Sequence, residues 1–384
     1  MNDNLSTPVR EIVIVEHFDP QNLTPGGIDS IIHDLVKYSV GIKFSIVGIS
    51  TADKTKIGKW MEIDFAGRKV MYLPVAQLDR FQTNGIKARI PHSLLFASGL
   101  LRFRKTLPTG EYHAHRIETG LLTSLMKRGK LVQFIHNDSE GLLSKESDSI
   151  WRRIPFAYRA IERLVSRVAE RMVLFNASDS TRLRNQRDDL IVSRTWFDTE
   201  VFASLKNAAK PREESLRICW VGRLDHQKDP LLALDVIETL KSQNHHPKLT
   251  MVGNGPLRET LQAKLTTLEL TADVDLVGAL SRPEVARTMA ESHVFLMTSR
   301  YEGSPVVLLE AGASGLAVVA TAESDPDRAL RAGINGERVI NRDVGELAAA
   351  ILRAAHFSPD LCRESVVDRS GRASVPALLA AIEP

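Results

Sequence analysis

The sequence predicts an α/β protein of two Rossmann-like, doubly wound parallel-sheet domains facing each other across a cleft. Three observations carry this expectation. Short β-branched runs alternate with amphipathic stretches of about 10–20 residues along most of the chain. That alternation is the pattern of parallel strands with helices on both faces. The 384 residues are also too many for one core. Finally, KNAAKPREESL (206–216) is a polar, proline-bearing, apolar-poor break. It separates an N-terminal domain (1–205) from a second domain (206–365), with a C-terminal helical segment (366–384) after the last strand.

In the first half the expected strands are EIVIVEHF (11–18), KFSIVGIS (43–50), YHAHRI (112–117), LVQFIH (131–136), MVLFNA (172–177) and LIVS (190–193). Residues 59–76 break the alternation and read as a hairpin around Ala66-Gly67. In the second half the strands are RICWVG (217–222), LTMVG (249–253), VDLVG (274–278), VFLMTS (294–299), AVVAT (317–321) and ERVI (337–340). Helices near 359–369 and 374–382 close the chain. Ligands of open parallel sheets sit beyond the carboxyl ends of the strands, so the informative residues should follow strands.

Composition narrows the function classes. No apolar run reaches the ~18–20 residues of a membrane span, and no basic-then-apolar leader opens the chain; a cytoplasmic protein is expected. Two cysteines give neither a disulfide framework nor a metal cluster; Cys219, in an apolar strand, reads as core. The net charge of +3 is asymmetric: residues 1–205 hold 29 Lys and Arg against 23 Asp and Glu, residues 206–384 hold 21 against 24. The first half is thus suited to an anionic partner. Nucleic acid is not expected, because no recognisable module or aromatic-interleaved basic stretch is present.

Four post-strand segments carry candidate chemistry. In PGGIDSIIHDL (25–35), Gly26 and Gly27 open a helix and let a ligand approach the backbone; the pattern is neither a dinucleotide fingerprint nor a phosphate-cradling P-loop. In VGRLDHQKDP (221–230), Arg223 and Lys228 project from a strand-to-helix loop, where Arg forks phosphate oxygens and Lys adds a point charge. In SRYEGSPVVLLEAGASG (299–315), Pro305 marks a helix start. The N–H groups of Gly303, Ser304, Val306 and Val307 can face an anion. Glu302 and Glu310 are eight residues apart, roughly 12 Å if helical, a span suited to one extended ligand. In domain one, His136 ends a strand, and His113 and His115 could share a face as metal ligands, though no third ligand is evident. The D-x-D pairs Asp273/Asp275 and Asp325/Asp327 read as structural.

WRRIPFAYRAIERLVSRVAERM (151–172) reads as an amphipathic helix. Arg159, Arg163, Arg167 and Arg171 form a basic face, with Ile161, Leu164, Val165, Val168 and Met172 as the opposing core stripe. The basic face could rest on an anionic membrane surface or simply be solvated. RFRKTL (102–107) adds local basicity.

Taken together, VGRLDHQKDPLLALDVI, LTMVGNGPLRETL, VDLVGAL and EGSPVVLLEAGASGLAVVAT, in that order, resemble the C-terminal domain of family 4 retaining glycosyltransferases with the GT-B fold. Glu302 and Glu310 match that family's E-x7-E motif. A weaker likeness covers 11–205 through PGGIDSIIHDL, the HAH strand, FIHND and WFDTEVF. The resemblance implies a metal-independent hexosyltransferase without cofactor, using a nucleotide-sugar donor and a glycan, lipid-linked or small-molecule acceptor. It implies that Arg223 and Lys228 hold the diphosphate. Glu302 would contact the transferred sugar, with Gly303, Ser304, Pro305 and Val306 at sugar and phosphate. Glu310 would take the ribose, and Val277 and Gly278 would lie near the base. His136 would lie near the transferred sugar, and Gly27 near the diphosphate and acceptor. The last helix would cross back onto domain one. Asp229-Pro230 departs from the family where a glycine is frequent, as does Ala317 where a proline is common. The rival expectations are an epimerase or phosphorylase on the same fold, and a non-catalytic nucleotide-sugar-binding protein.

Overall fold

The computed structural model describes residues 10–23, 27–51, 56–78, 92–136, 138–144, 147, 149–203, 215–326 and 328–383. Pro25, Gly26, linker residues 206–214 and Asp327, singled out above, lie outside the described residues.

The first sheet contains β1 (Arg10–Val15), β2 (Ile42–Ser50), β3 (Met61–Phe65), β4 (Arg68–Gln77), β5 (Gly110–Ala114), β6 (Gly129–Ile135), β7 (Arg171–Leu174) and β8 (Leu190–Val192). Their order is β3-β4-β2-β1-β5-β6-β7-β8. Only β3 and β4 run antiparallel, as the hairpin expected around Ala66-Gly67, and both turn residues take positive φ. The second sheet contains β9 (Leu216–Val221), β10 (Pro247–Val252), β11 (Val274–Gly278), β12 (Val294–Met297), β13 (Ala317–Thr321) and β14 (Gly336–Val339). Its order is β11-β10-β9-β12-β13-β14, all parallel.

Covering a strand on both faces removes any need for polar alternation. In β1, Ile12 and Ile14 enter one core while Val13 and Val15 enter the core on the opposite face. All five residues of AVVAT in β13 are buried. Chain order reverses between β1 and β5, and again between β9 and β12. Crevices at such switch points lie beyond the carboxyl ends of the strands.

Several expected strands stop short. β7 ends at Leu174 because Asn176 caps the helix Ala177–Leu183, its side chain accepting from Asp179 N at 2.8 Å. The helix Gly371–Ala381 packs against domain one: Val375, Leu378 and Leu379 share a core with Ile31 and Leu35. Each such buried side chain contributes about 1.5–3 kcal/mol. Arg10 Nη1 donates to Leu379 O at 3.1 Å.

The basic segment requires a correction. Its helix spans Pro155–Val168, and Arg171 instead opens β7. Leu164 and Val168, expected in the core, are 45% and 48% exposed. The inward face carries Tyr158, Glu162, Val165 and Ser166. The buried Glu162 carboxylate receives Arg182 at 2.6 and 2.7 Å and Arg159 at 3.3 Å. Two cations held on one buried acid turn the helix so that Glu162 points inward and two aliphatics point out beside Arg163 and Arg167.

Candidate active site

The floor of the cleft is built by the loops after β9, β10 and β12. Gly253, at φ +136°, brings its backbone so close to Gly222 that a Cβ there would lie 1.8 Å from Gly222 O. Only glycine permits that approach. The buried Asp225 carboxylate accepts from Lys228 N at 3.0 Å and from Arg223 Nη2 at 2.8 Å, which shapes the loop. Asp229 then takes φ +44° before the helix Pro230–Ser242. This left-handed turn is where a glycine would be at ease, and it explains the departure noted at Asp229-Pro230. Arg300 at 2.8 Å and Arg342 at 2.6 Å hold its carboxylate in place.

Lys228 Nζ donates to Glu302 Oε1 at 2.5 Å, and Ser299 Oγ donates to the same oxygen at 2.6 Å. Both bonds fall on Oε1. Arg342 anchors the segment beneath, donating to Thr298 O and Ser299 O at 2.8 Å each. Lys228 and Glu302 are therefore held as a charged pair at the carboxyl ends of β9 and β12. Arg223 is more open, with its side chain 63% exposed and Gln227 Oε1 at 3.2 Å.

The helix after β12 begins at Val306, with Pro305 as its N-cap, and ends at Ala313. Glu302 thus lies in the preceding loop. The roughly 12 Å helical ruler inferred from the spacing does not apply, because only Glu310 is on the helix. Glu310 is 8% exposed. Burial pushes its pKa up to about 7, with Arg282 opposing the rise and Asp34 and Asp198 adding to it.

Arg282 was not singled out in the sequence, yet it joins the domains. It forks Asp34 of the helix Gly27–Lys37 at 2.7 and 3.1 Å, and lies 3.8 Å from Asp198 and 3.9 Å from Glu310. Lys37 Nζ sits 2.9 Å from Asp198, and Tyr38 Oη donates to Asp198 at 2.6 Å. Asp34, Asp198 and Glu310 thus meet Arg282 and Lys37, with Glu200 a further 2.9 Å from Lys37 Nζ, and a proton on Glu310 reduces the excess of negative charge. His33, Asp34 and Asp198 bring potential metal-ligating atoms within 4.8 Å of one another. Arg282 and Lys37 already engage both carboxylates there.

Across the cleft, His136 follows β6. Its Nε2 lies 2.8 Å from His115 Nδ1, and its ring stacks on Phe175 at 4.9 Å. Burial pulls its pKa down to about 4 against the opposing pull of Glu16, so the imidazole is neutral at pH 7 and can donate or accept. His113 turns instead to Glu111 Oε1 at 2.7 Å, so the two HAH histidines do not converge on one ligand. His17, His115, His136, Arg116 and Trp151 help line a cavity of about 350 Å3. Arg116 Nε is balanced by the buried Glu16 at 2.6 Å. Two further contacts close the cleft: Thr195 Oγ1 and Ser304 Oγ at 2.8 Å, and Tyr301 Oη to Ser147 Oγ at 3.2 Å.

The remaining residues named from the sequence lie at strand ends or helix starts. Gly27 opens its helix, exposed, with open space around its Cα. Val277 and Gly278 end β11; Val277 is 44% exposed and Gly278 has φ +81° beside open space. Of the D-x-D acids, Asp273 and Asp325 have other partners. Asp273 meets Lys241 at 2.9 Å and Lys248 at 3.4 Å. Asp325 accepts from Ala329 N and Leu330 N. Cys219 is core, its thiol pushed up to about 12 by burial.

Two parallel-sheet α/β domains meeting at their strand carboxyl ends are the GT-B architecture. Residues 202–363 match the family model described as glycosyl transferases group 1. The amylovoran biosynthesis glycosyltransferase AmsK of Erwinia amylovora is 31% identical over 177 residues, 44% of this chain and 43% of that protein. The chain spans under half the length of the first curated relatives it matches. Sucrose-phosphate synthase from Thermosynechococcus elongatus superposes with a TM-score of 0.71 at 16% identity, covering 97% of this chain and 96% of that one. Anabaena HepE in complex with UDP and glucose gives 0.69 at 15%, covering 96% and 98%. At these identities the structural likeness speaks for the fold alone. No helix among the described residues is long and apolar enough to cross a membrane.

Proposed function

We propose that the chain is a retaining, metal-independent glycosyltransferase. It moves a sugar from a UDP- or GDP-linked donor to an acceptor hydroxyl, in the synthesis of cell-envelope glycolipid or polysaccharide. The observation that carries this reading is the Lys228–Glu302 pair at the β9/β12 switch point, with Arg223 beside it and Glu310 on the helix that follows the Glu302 loop. Transfer breaks the anomeric C–O bond, and negative charge grows on the leaving diphosphate. Lys228 and Arg223 supply fixed positive charge for it. Glu302 has one oxygen engaged and a second that accepts no bond from the described residues, so it suits the hydroxyls of the transferred sugar. Glu310 suits the ribose diol. His136, neutral and held by His115, suits orientation of the donor from domain one. Retention follows same-face attack, with the leaving phosphate accepting the acceptor's proton. The described names of relatives point to glycans as acceptors: AmsK is named for amylovoran synthesis, and one Escherichia coli relative for a diphosphoundecaprenol-linked saccharide.

The membrane side of the reading rests on Phe156, Leu164 and Val168, exposed beside Arg152, Arg153, Arg163 and Arg167. Apolar side chains set among cations suit the interface of an anionic leaflet, which would place the enzyme at the cytoplasmic face.

The test is nucleoside diphosphate release from UDP- and GDP-sugars, with and without an envelope acceptor extract. Glu302→Gln and Lys228→Ala should each lower acceptor-dependent release at least 100-fold, a loss of about 2.7 kcal/mol in transition-state stabilisation, with both variants still folded by circular dichroism at the assay temperature. Wild-type turnover in either variant refutes the site. Donor sugar interconverted without an acceptor identifies an epimerase, and no release from any donor sinks the transferase reading. The anomeric configuration of the product, read by NMR, tests retention.

A further inference from the structure

Leu308 and Leu309 of the helix Val306–Ala313 line a second cavity between the domains, of about 460 Å3. Neither Lys228, Glu302, Arg223 nor Glu310 lines it. Domain one brings Arg194 from the end of β8, domain two brings Arg328 and Arg331 from the loop after β13, and the segment crossing between them brings Arg369. Among the described residues, four guanidinium-bearing side chains line it with one acid, Asp368. That acid reaches Arg194 only at 3.6 Å, with both side chains mostly exposed, so the pair neutralises little. Arg328 and Arg331 form no ion pair among the described residues.

The described residues around those two arginines are tied by side-chain bonds to the backbone. The buried Asp325 carboxylate accepts from Ala329 N at 2.8 Å and Leu330 N at 3.1 Å. Asn335 Oδ1 accepts from Arg331 N at 2.7 Å, while its amide donates to Ala329 O at 3.2 Å and Ser365 Oγ at 3.0 Å. Arg369 is fixed by donation to Thr195 O at 3.0 Å, and Thr195 in turn meets Ser304. Asp325 was read from the sequence as structural; what it structures is this cationic wall. Gathering like charges in a concavity is unfavourable, and an anion with several acceptor oxygens relieves it.

We propose that this cavity binds a phosphomonoester of hexose-phosphate size, with its phosphate on Arg328 and Arg331 and its sugar toward Ser193 and Arg194. A dianion matches the charge excess better than a carboxylate, and the volume is that of a small-metabolite site. Because the walls belong to both domains, the ligand favours the domain arrangement that closes them on it. Its lining residues are separate from those proposed for transfer.

Isothermal titration of the full chain with glucose 6-phosphate tests this, with glucose and inorganic phosphate as controls. The wild type should bind one equivalent, and glucose should be silent. Lys228→Ala should bind as the wild type does, because Lys228 belongs to the other site. R328Q/R331Q should bind at least tenfold more weakly, and Arg194→Gln several-fold more weakly, each with an unchanged urea midpoint. R328K/R331K should retain more affinity than the glutamine pair. The proposal is overturned if the wild type does not bind, if R328Q/R331Q binds equally well, or if Lys228→Ala abolishes binding. Equal affinity for inorganic phosphate and the sugar phosphate overturns the assignment of a hexose ligand.

Discussion

Glu310→Gln separates a buried carboxyl's charge from its shape. The glutamine is nearly isosteric and does not titrate. In the fold the carboxyl titrates near 7, against an ordinary value of 4.5, a gap of about 2.5 pH units at 1.36 kcal/mol each. A raised acid is bound to its proton more tightly in the native state than in the unfolded one. Its contribution is therefore complete below about 4.5 and is lost as pH climbs through about 7. Relative to the variant, the wild type should lose about 3 kcal/mol of stability between those limits. The buried histidines, whose pKa values burial lowers, contribute the opposite slope, but they are common to both proteins and cancel in the difference. Urea unfolding of both proteins at half-unit intervals from pH 4.5 to 8 measures it, provided the denaturant slope is the same in both. Parallel stability curves would refute the reasoning, for they would mean that Arg282 at 3.9 Å compensates the buried charge fully. The same titration reaches function. On the proposed reading a ribose diol donates to an ionised Glu310 carboxylate, so UDP binding near pH 6 should release more protons from the wild type than from the glutamine variant, in which only the terminal phosphate of UDP can contribute. Calorimetry in two buffers of different ionisation enthalpy detects it.

Arg282→Ala leaves Asp34, Asp198 and Glu310 facing one another around a missing cation, and should lower stability by about 3 kcal/mol; a change under 1 kcal/mol in urea unfolding would show that the network is not held by this residue. Gly253→Ala drives a Cβ against the Gly222 carbonyl and should destabilise by about 2 kcal/mol or more, whereas Gly278→Ala, strained in φ but beside open space, should lose only about 1 kcal/mol; equal thermal shifts would contradict the close-approach argument. L164E/V168E should reduce co-sedimentation with vesicles containing anionic phospholipid at least fivefold without changing release from a soluble donor, and undiminished sedimentation would remove that face from the membrane reading.

How much of this was legible in the sequence follows from how far each cause lies along the chain. The strands could be read because burial on both faces writes an unbroken apolar run into adjacent residues, as in AVVAT. Lys228 and Glu302 could be read because each sits in a loop just past such a run, although they lie 74 residues apart. Arg282 could not: its meaning comes from Asp34, 248 residues away in the other domain, and SRPEVARTM looks like an ordinary helix start. The helix Pro155–Val168 misled for the same reason in reverse. Its periodicity made Leu164 and Val168 a core stripe, but Arg182, 20 residues past Glu162, draws that acid inward and rotates the pattern. Apolar periodicity reports which face is buried only when no distant cation claims a position on it. Here the claim leaves aliphatic side chains exposed among arginines, so the misread stripe is itself the feature on which the proposed membrane contact rests.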